Sequence, residues 1–99
     1  MSKKVYCIAQ FLPKPGKEAE LFKVLQGLEA NTLREDACLH YRVTRHIPSP
    51  FAEGKSFPIV FNEIWADMQS FEAHCQRNEI KDFFQTYCVA ETGLAADWN

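Results

Sequence analysis

The sequence predicts an α+β domain in which two helices cover one face of an antiparallel β-sheet. The prediction rests on the order of two kinds of apolar pattern, alternation with a period of two and helical spacing, which follow each other as β-α-β-β-α-β. It also rests on length, because 99 residues fit one compact domain. We therefore expect residues 1–99 to form a single domain.

The first strand is predicted over Lys4 to Leu12, where apolar residues occupy both faces. One face carries Val5, Cys7, Ala9 and Phe11, and the other carries Tyr6, Ile8 and Leu12. Prolines and a glycine, from Pro13 onward, end this strand. Helical spacing then predicts one long helix from Lys17 to about Arg34, although Gly27 inside it weakens the pattern.

The second strand is predicted within CLHYRVTRH, which begins at Cys38. Alternation gives it an apolar face with Leu39, Tyr41 and Val43 and a polar face with His40, Arg42 and Thr44. Two prolines, a glycine and two serines in the segment from Ile47 to Phe57 predict a long irregular connection to the next strand. Loops of this length are often functional or mobile.

The stretch from Ile59 to Phe84 predicts a third strand followed by a helix. The strand ends at Trp65, and Asp67 is a plausible N-cap for a helix that begins at Met68. Its apolar stripe is Met68, Phe71 and Cys75, with His74 beside it, so one imidazole is expected on or near the buried face.

The end of the chain predicts a second helical piece and a short last strand. A break near Arg77 and Asn78 precedes the helical piece, which holds Ile80, Phe83, Phe84 and Tyr87. Gly93 ends the helices, and Leu94 to Asn99 supplies the strand, despite weak strand propensity.

This order is the ferredoxin-like plan, an antiparallel sheet with both helices on one face. Two helices cover only one side of such a sheet, whereas the first and third strands are apolar on both sides. We therefore expect the uncovered side to pack against the sheet of a second copy, which makes the protein a homodimer.

Composition and charge argue against several classes of protein. The net charge of −2 and the lack of a basic run predict no nucleic-acid partner. No segment approaches the roughly 20 apolar residues of a membrane span, and the first residues lack a secretory signal pattern. A cytoplasmic protein that does not interact with membranes is the expectation.

Cysteine and histidine spacing predicts no metal site. The four cysteines form no C-x-x-C pair, so they are expected to be reduced and mostly buried thiols. His40 and His46 share one strand face but would lie about 20 Å apart at ~3.3 Å per residue, too far to bind one ion together.

Particular motifs carry a resemblance to a known family. The segment NEIWADMQSFEAHCQRNEIKDFF resembles the strand and helix signature of the antibiotic biosynthesis monooxygenase (ABM) domain family, and P-G-K-E and E-D-A-C-L-H-Y extend the resemblance over essentially the whole chain. It is closest to the quinol monooxygenase branch, in which a Glu-x-Trp is followed, nine residues after the Trp, by a His within Glu-Ala-His. Glu63, Trp65 and His74 stand at these positions. The chain departs from the family in Ala37, where a glycine is usual, and in its short C-terminus.

The resemblance implies a dimeric α+β barrel with a pocket between sheet and helices in each subunit. It also implies oxygenation of a small quinol or polyphenolic aromatic by O₂ with no cofactor, neither metal nor flavin. His74 would be the proton acceptor, because a free imidazole titrates near neutral pH. Side chains expected to hold the substrate are the apolar walls Trp65, Phe71 and Phe84 and the polar handles Asn62 and Arg42.

Other interpretations stay open beside this one. The haem-degrading members of the family place a haem-ligating His where this chain has Phe84, so that activity is not expected. A third branch isomerises a phosphorylated signalling sugar derivative, for which Arg42, Arg45 and Lys55 are the candidate phosphate contacts. A non-catalytic dimeric module that binds a small aromatic ligand is a further alternative. His74 can be a buried structural histidine, Trp65 a core residue, and Glu63 the partner of a base across the sheet or the dimer interface.

Overall fold

A computed structural model describes residues 3–99 as a four-stranded antiparallel sheet with helices on one face. The strands are β1 (Val5–Pro13), β2 (Cys38–Arg45), β3 (Ile59–Trp65) and β4 (Ala95–Trp98). The helices are α1 (Glu18–Gln26), α2 (Glu29–Thr32), α3 (Met68–Cys75) and α4 (Asn78–Phe84), and a π-helical turn (Gln85–Val89) follows α4 directly. The strand order is β2-β3-β1-β4, which confirms the ferredoxin-like α+β fold.

The first helix is shorter than predicted. The prediction of one continuous helix from Lys17 to about Arg34 is wrong, because α1 ends at Gln26 and α2 begins only at Glu29. The N–H of Leu28 donates to the carbonyl of Leu25, three residues back, at 3.0 Å, so the chain tightens immediately after Gly27. This turn leaves both leucines buried in the core.

The apolar stripe predicted on α3 is also wrong in part. Met68 and Cys75 are exposed and Phe71 is half-buried, whereas His74 is buried. The predicted N-cap is confirmed, because Oδ1 of Asp67 accepts a hydrogen bond from the N–H of Ser70 at 2.7 Å. The inward side of this two-turn helix thus carries an imidazole where the apolar pattern indicated a thiol.

The last strand is confirmed and depends on a close backbone approach. A Cβ at Gly93 would lie 2.6 Å from the carbonyl oxygen of Tyr87, so only glycine fits there without a shift of the backbone. The same carbonyl accepts the N–H of Leu94 at 2.8 Å, immediately before β4 begins. Gly93 therefore both ends the helical segment and aligns the edge strand with β1.

Strand β2 forms the other edge of the sheet. Its register with β3 shifts between Cys38 and His40, so Leu39 is displaced from the predicted apolar face and is 49% exposed. In the middle of the strand, the N–H of Val43 donates to Oε2 of Glu29 on α2 at 2.9 Å. One backbone donor of this edge is therefore already paired.

The face of the sheet that the helices leave uncovered carries apolar side chains of the two central strands, β1 and β3. Tyr6 and Ile8 of β1 are 72% and 62% exposed there. Val60 and Ile64 of β3 are half-buried. This distribution agrees with the expectation that the first and third strands are apolar on both sides.

The cysteines are less buried than predicted. All four are free thiols, but only Cys88 is buried, while Cys7 and Cys38 are half-buried and Cys75 is exposed. Within residues 3–99, none of the helices is long and apolar enough to cross a membrane. The cytoplasmic location stays a prediction.

Candidate functional site

A cavity of about 140 Å³ lies between the helix-facing side of the sheet and α3 and α4. Its walls are mainly apolar and include five phenylalanines, Phe11, Phe61, Phe71, Phe83 and Phe84. Among its lining side chains, only Glu63 and His74 carry groups that ordinarily gain or lose a proton between mildly acidic and neutral pH. Such a combination of an apolar cavity with few polar groups is typical of a small-molecule site.

His74 is held in this cavity by a carboxylate. The residue is 3% exposed, and its Nδ1 lies 3.0 Å from Oε2 of Glu35. Arg77 donates from Nη1 to the same oxygen at 2.7 Å. A carboxylate accepts only, so the proton on the imidazole is placed on Nδ1. Nε2, which has no hydrogen-bond partner within residues 3–99, is left with its lone pair.

Glu35 reaches His74 from the turn between α2 and β2. Its N–H donates to the carbonyl of Thr32 at 3.0 Å, and its carbonyl accepts from Cys38 at 2.9 Å. The sequence indicated only a turn residue here, because 39 positions separate Glu35 from His74. A signal was present within E-D-A-C-L-H-Y, where Glu35 stands three residues before the second strand.

Glu63 is the second polar group of the cavity. It is 7% exposed and lies on β3 between Cys7 of β1 and Tyr41 of β2, which are its partners in the sheet register. Its Oε1 accepts a hydrogen bond from Nε1 of Trp65 at 3.0 Å. Burial raises the pKa of the Glu63 carboxyl, and the Trp65 N–H and the nearby imidazole of His74 offset part of this rise.

The raised pKa of Glu63 predicts a pH-dependent stability. Above the ordinary value of 4.5, the native protein holds a proton that the unfolded chain has lost, so the free energy of unfolding falls as pH rises toward the raised pKa. The free energy of unfolding falls by about 1.4 kcal/mol for each pH unit between 4.5 and the raised pKa. Glu63→Gln cannot ionise, so its unfolding free energy should fall less over the same interval.

Urea unfolding at several pH values between about 4 and 9 measures this difference. Glu72→Gln, which removes an exposed carboxyl from α3, is the matched control and should follow the wild-type profile. Parallel profiles for wild type and Glu63→Gln would contradict the raised pKa.

The aromatic residues predicted to form the walls divide into two groups. Phe71 and Phe84 line the cavity directly. Trp65 is fully buried behind His74, with its indole centroid 4.5 Å from the imidazole centroid. Tyr41 packs on the imidazole from another side, with centroids 5.2 Å apart, and burial raises the pKa of its hydroxyl. The aromatic rings thus fix the orientation of His74 as well as shape the cavity.

The structure does not bring the two predicted polar handles into this cavity. Asn62 and Arg42 are partners in the register between β2 and β3 and lie on the uncovered face of the sheet. Nδ2 of Asn62 donates to Oγ1 of Thr44 at 3.0 Å. The polar contacts of the cavity come from Glu63 and His74 instead.

No group of three histidine, cysteine, aspartate or glutamate side chains is placed to hold a metal ion within residues 3–99. One hydrogen bond joins the side chains of His74 and Glu35, and another joins those of Glu63 and Trp65. What the arrangement offers is a basic nitrogen and a carboxyl oxygen in an apolar space.

Several solved structures share this fold. A protein from Shewanella oneidensis is 27% identical with a TM-score of 0.77, and the alignment covers 100% of this chain and 87% of that one. A protein from Pseudomonas aeruginosa is 21% identical with a TM-score of 0.76, covering 100% of this chain and 90% of that one. A dimeric protein of unknown function and ferredoxin-like fold from Bacteroides fragilis is 12% identical with a TM-score of 0.70. The alignment covers 97% of this chain and 90% of that one. No curated protein matches the chain in sequence.

Fold and site together define an α+β protein of the ferredoxin-like class with a ligand-sized cavity between its sheet and helices. The sequence model of one family, antibiotic biosynthesis monooxygenase, matches residues 4–86. The chain therefore belongs to the antibiotic biosynthesis monooxygenase family.

Proposed function

We propose that the protein is a cofactor-independent monooxygenase that oxidises a small quinol or polyphenol with O₂, as the quinol monooxygenase branch of its family does. The observation that carries the proposal is His74, a buried histidine in an apolar cavity. Its Nδ1 is bound to Glu35, and Nε2 is free to act as a base. Membership of the family supports the reaction class.

The protein's part in the reaction is to take a proton and exclude water. Nε2 of His74 accepts the proton of a substrate hydroxyl, which makes the imidazole a cation. Glu35 stabilises this cation because its Oε2 lies 3.0 Å from Nδ1. The phenylalanine walls keep water from the anionic ring, so the charge that develops is met by fixed protein groups.

The deprotonated ring supplies the electrons that O₂ needs. An electron-rich quinol anion transfers an electron to O₂, a carbon–oxygen bond forms at a ring carbon, and the oxygen–oxygen bond then breaks. One oxygen atom stays on the ring and the other leaves as water, so a dihydroxybenzene and O₂ give a hydroxyquinone and water. The quinol itself is the reductant, and the reaction balances without a further electron donor.

The isomerase alternative requires a phosphate contact that the cavity lacks. Arg42 lies on the uncovered face of the sheet, and the guanidinium of Arg45 stacks over the ring of Phe22 at 3.8 Å from its centroid. Lys55 lies in the connection between β2 and β3. None of these three residues lines the cavity, where a phosphate would meet Glu63 instead. The geometry therefore favours a quinol over a phosphorylated sugar derivative.

Oxygen consumption tests the proposal and separates it from the non-catalytic alternative. Chelator-treated, flavin-free protein is mixed with a chemically reduced quinol under ¹⁸O₂, and oxygen uptake is followed against the quinol's own autoxidation. Uptake above that background, with one labelled atom in the product, is the expected result. Binding of the quinol with uptake equal to autoxidation would instead identify a module that binds without turnover.

Glu35→Gln is expected to lower kcat about tenfold with little change in KM. The amide keeps an oxygen to accept the Nδ1 proton but carries no charge to stabilise the imidazolium. KM should hold because Glu35 does not line the cavity. Steady-state oxygen uptake measures both constants, with Glu20→Gln on exposed α1 as control. An unchanged kcat would show that Glu35 has no part in the reaction.

The dimeric barrel is proposed on the uncovered face of the sheet. Tyr6 and Ile8 expose apolar surface there, and the similar protein from Bacteroides fragilis is dimeric. Sedimentation should give twice the chain mass of 11.4 kDa. Ile8→Asp should give the mass of one chain, since a charge would be buried between the sheets. Gln76→Asp, at the exposed position that follows α3, should keep the dimer mass. A monomeric wild type would contradict the dimer.

A further inference from the structure

The size of the cavity limits the ligand. Its volume is about 140 Å³, and an apolar protein cavity of about 150 Å³ is known to hold benzene. Phe11, Phe61 and Phe83 line it and are 2–4% exposed, so they belong to the packed core. Extending the cavity inward for a second fused ring would displace these side chains, which close-packed interiors resist. One six-membered ring fits the space as it stands.

Two polar atoms in the cavity are left without partners. Oε1 of Glu63 is taken by Trp65, and Nδ1 of His74 is taken by Glu35. Oε2 of Glu63 and Nε2 of His74 have no hydrogen-bond partner within residues 3–99. Both residues are more than nine-tenths buried and both line the cavity. Neither atom is among the fully enclosed polar side-chain atoms that lack a partner, so both are accessible from the cavity that they line. A ligand with two polar groups would pair both atoms and complete the site.

The charge of the cavity limits which polar groups these are. No lysine or arginine lines the cavity. Arg77 binds the carboxylate of Glu35 and does not line the cavity either. A ligand carboxylate or phosphate beside Glu63 would therefore lack a counter-charge. A hydroxyl group both donates and accepts, so it can pair with Glu63 whether or not that carboxyl holds a proton.

We infer that the substrate is a neutral, single-ring diphenol and that Glu63 selects it by binding the hydroxyl group that His74 does not deprotonate. The inference rests on the proposed function and narrows its substrate class. Glu63 is a specificity-determining residue in this scheme, and Trp65 positions it by occupying one of its two oxygens.

Anaerobic calorimetry tests the selection apart from any oxidation. The probes are 1,4-dihydroxybenzene, 1,4-dihydroxynaphthalene and 4-hydroxybenzoate, all titrated into wild-type protein without O₂. The one-ring diphenol is expected to bind about tenfold more tightly than either of the others, a ratio that corresponds to ~1.4 kcal/mol. The naphthalene derivative is disfavoured by size and the benzoate by charge. Equal or tighter binding of the naphthalene derivative would overturn the single-ring inference.

A variant distinguishes selection by Glu63 from a purely structural role. In Glu63→Gln the amide oxygen still accepts the Trp65 N–H, while the amide nitrogen donates into the cavity. The preference for 1,4-dihydroxybenzene over 4-hydroxybenzoate should then fall at least about fivefold or reverse, because the amide donor suits a carboxylate. Glu72→Gln on the exposed side of α3 should keep the wild-type ratio. An unchanged ratio in Glu63→Gln would overturn the role of Glu63.

The two proposals fail in different ways. If the protein oxidises 1,4-dihydroxynaphthalene with O₂ and shows no preference for the one-ring diphenol, the monooxygenase function stands and the substrate inference is overturned. If 1,4-dihydroxybenzene binds with the expected selectivity but consumes no O₂, the binding selectivity is supported and the oxygenation is overturned.

Discussion

His74→Asn is expected to lower quinol-dependent oxygen uptake by about 10²–10⁴-fold, the usual contribution of a positioned general base. The asparagine amide can still donate to Oε2 of Glu35, which Nδ1 contacts at 3.0 Å in the wild type. It has no counterpart of Nε2, so nothing remains to take the proton from the substrate. The hydrogen bond to Glu35 is kept while the base is lost.

The measurement is the initial rate of oxygen uptake with a reduced quinol, together with quinol binding under anaerobic conditions. Binding should change by less than about tenfold, because the apolar walls and Glu63 remain. Gln76→Ala, at an exposed position two residues along the chain, should behave as wild type. Full activity in His74→Asn would leave His74 a structural histidine. A loss of binding equal to the loss of rate would make it a substrate contact.

Trp65→Ala is expected to cost about 3–5 kcal/mol of unfolding free energy, the usual range for removing a buried large aromatic side chain. Trp65 is fully buried at the end of β3 and packs on Tyr41, Phe71 and His74. Its removal also leaves Oε1 of Glu63 without the donor that it has at 3.0 Å. Such a loss is a large fraction of the roughly 5–15 kcal/mol that stabilises an ordinary domain.

Urea unfolding followed by circular dichroism measures the change. Trp65→Phe separates the two contributions, because it keeps most of the packing and removes only the N–H donor to Glu63. It should cost about 1–3 kcal/mol, the penalty of one unpaired buried polar group plus some lost volume. If Trp65→Ala cost less than about 1 kcal/mol, the indole would not be part of the core that the structure describes.

Much of the sheet was predictable because its pattern is local. Alternation located β1 and β3 to within about a residue, and the N-cap at Asp67 follows from its side chain alone. The break after Gly27 and the π-helical turn at Gln85–Val89 were not predicted, because both depend on how the chain packs against the sheet. The exposure of Leu39 depends on a bulge, which alternation by itself does not show.

Part of the candidate site was predictable as well, because motif and spacing are also local features of the sequence. His74 and the rings of Phe71 and Phe84 were identified from motif and spacing, and they do meet in one cavity. Asn62 was assigned to the same pocket, although it lies three residues before Trp65 on a strand, and an odd spacing places it on the opposite face. Glu35 could not be assigned, because its contact with His74 exists only after two distant segments have packed.

The contact between Glu29 and Val43 bears on how copies of this chain can associate. An edge strand with free N–H groups is a template on which further strands add, one chain after another, into an open-ended array. The carboxylate of Glu29 occupies such a group in the middle of β2, 2.9 Å from the nitrogen, and so interrupts the row of donors that an incoming strand would need. Growth by strand addition is thereby disfavoured at this edge. The proposed dimer uses the broad face of the sheet instead, and an association of that kind closes after two copies.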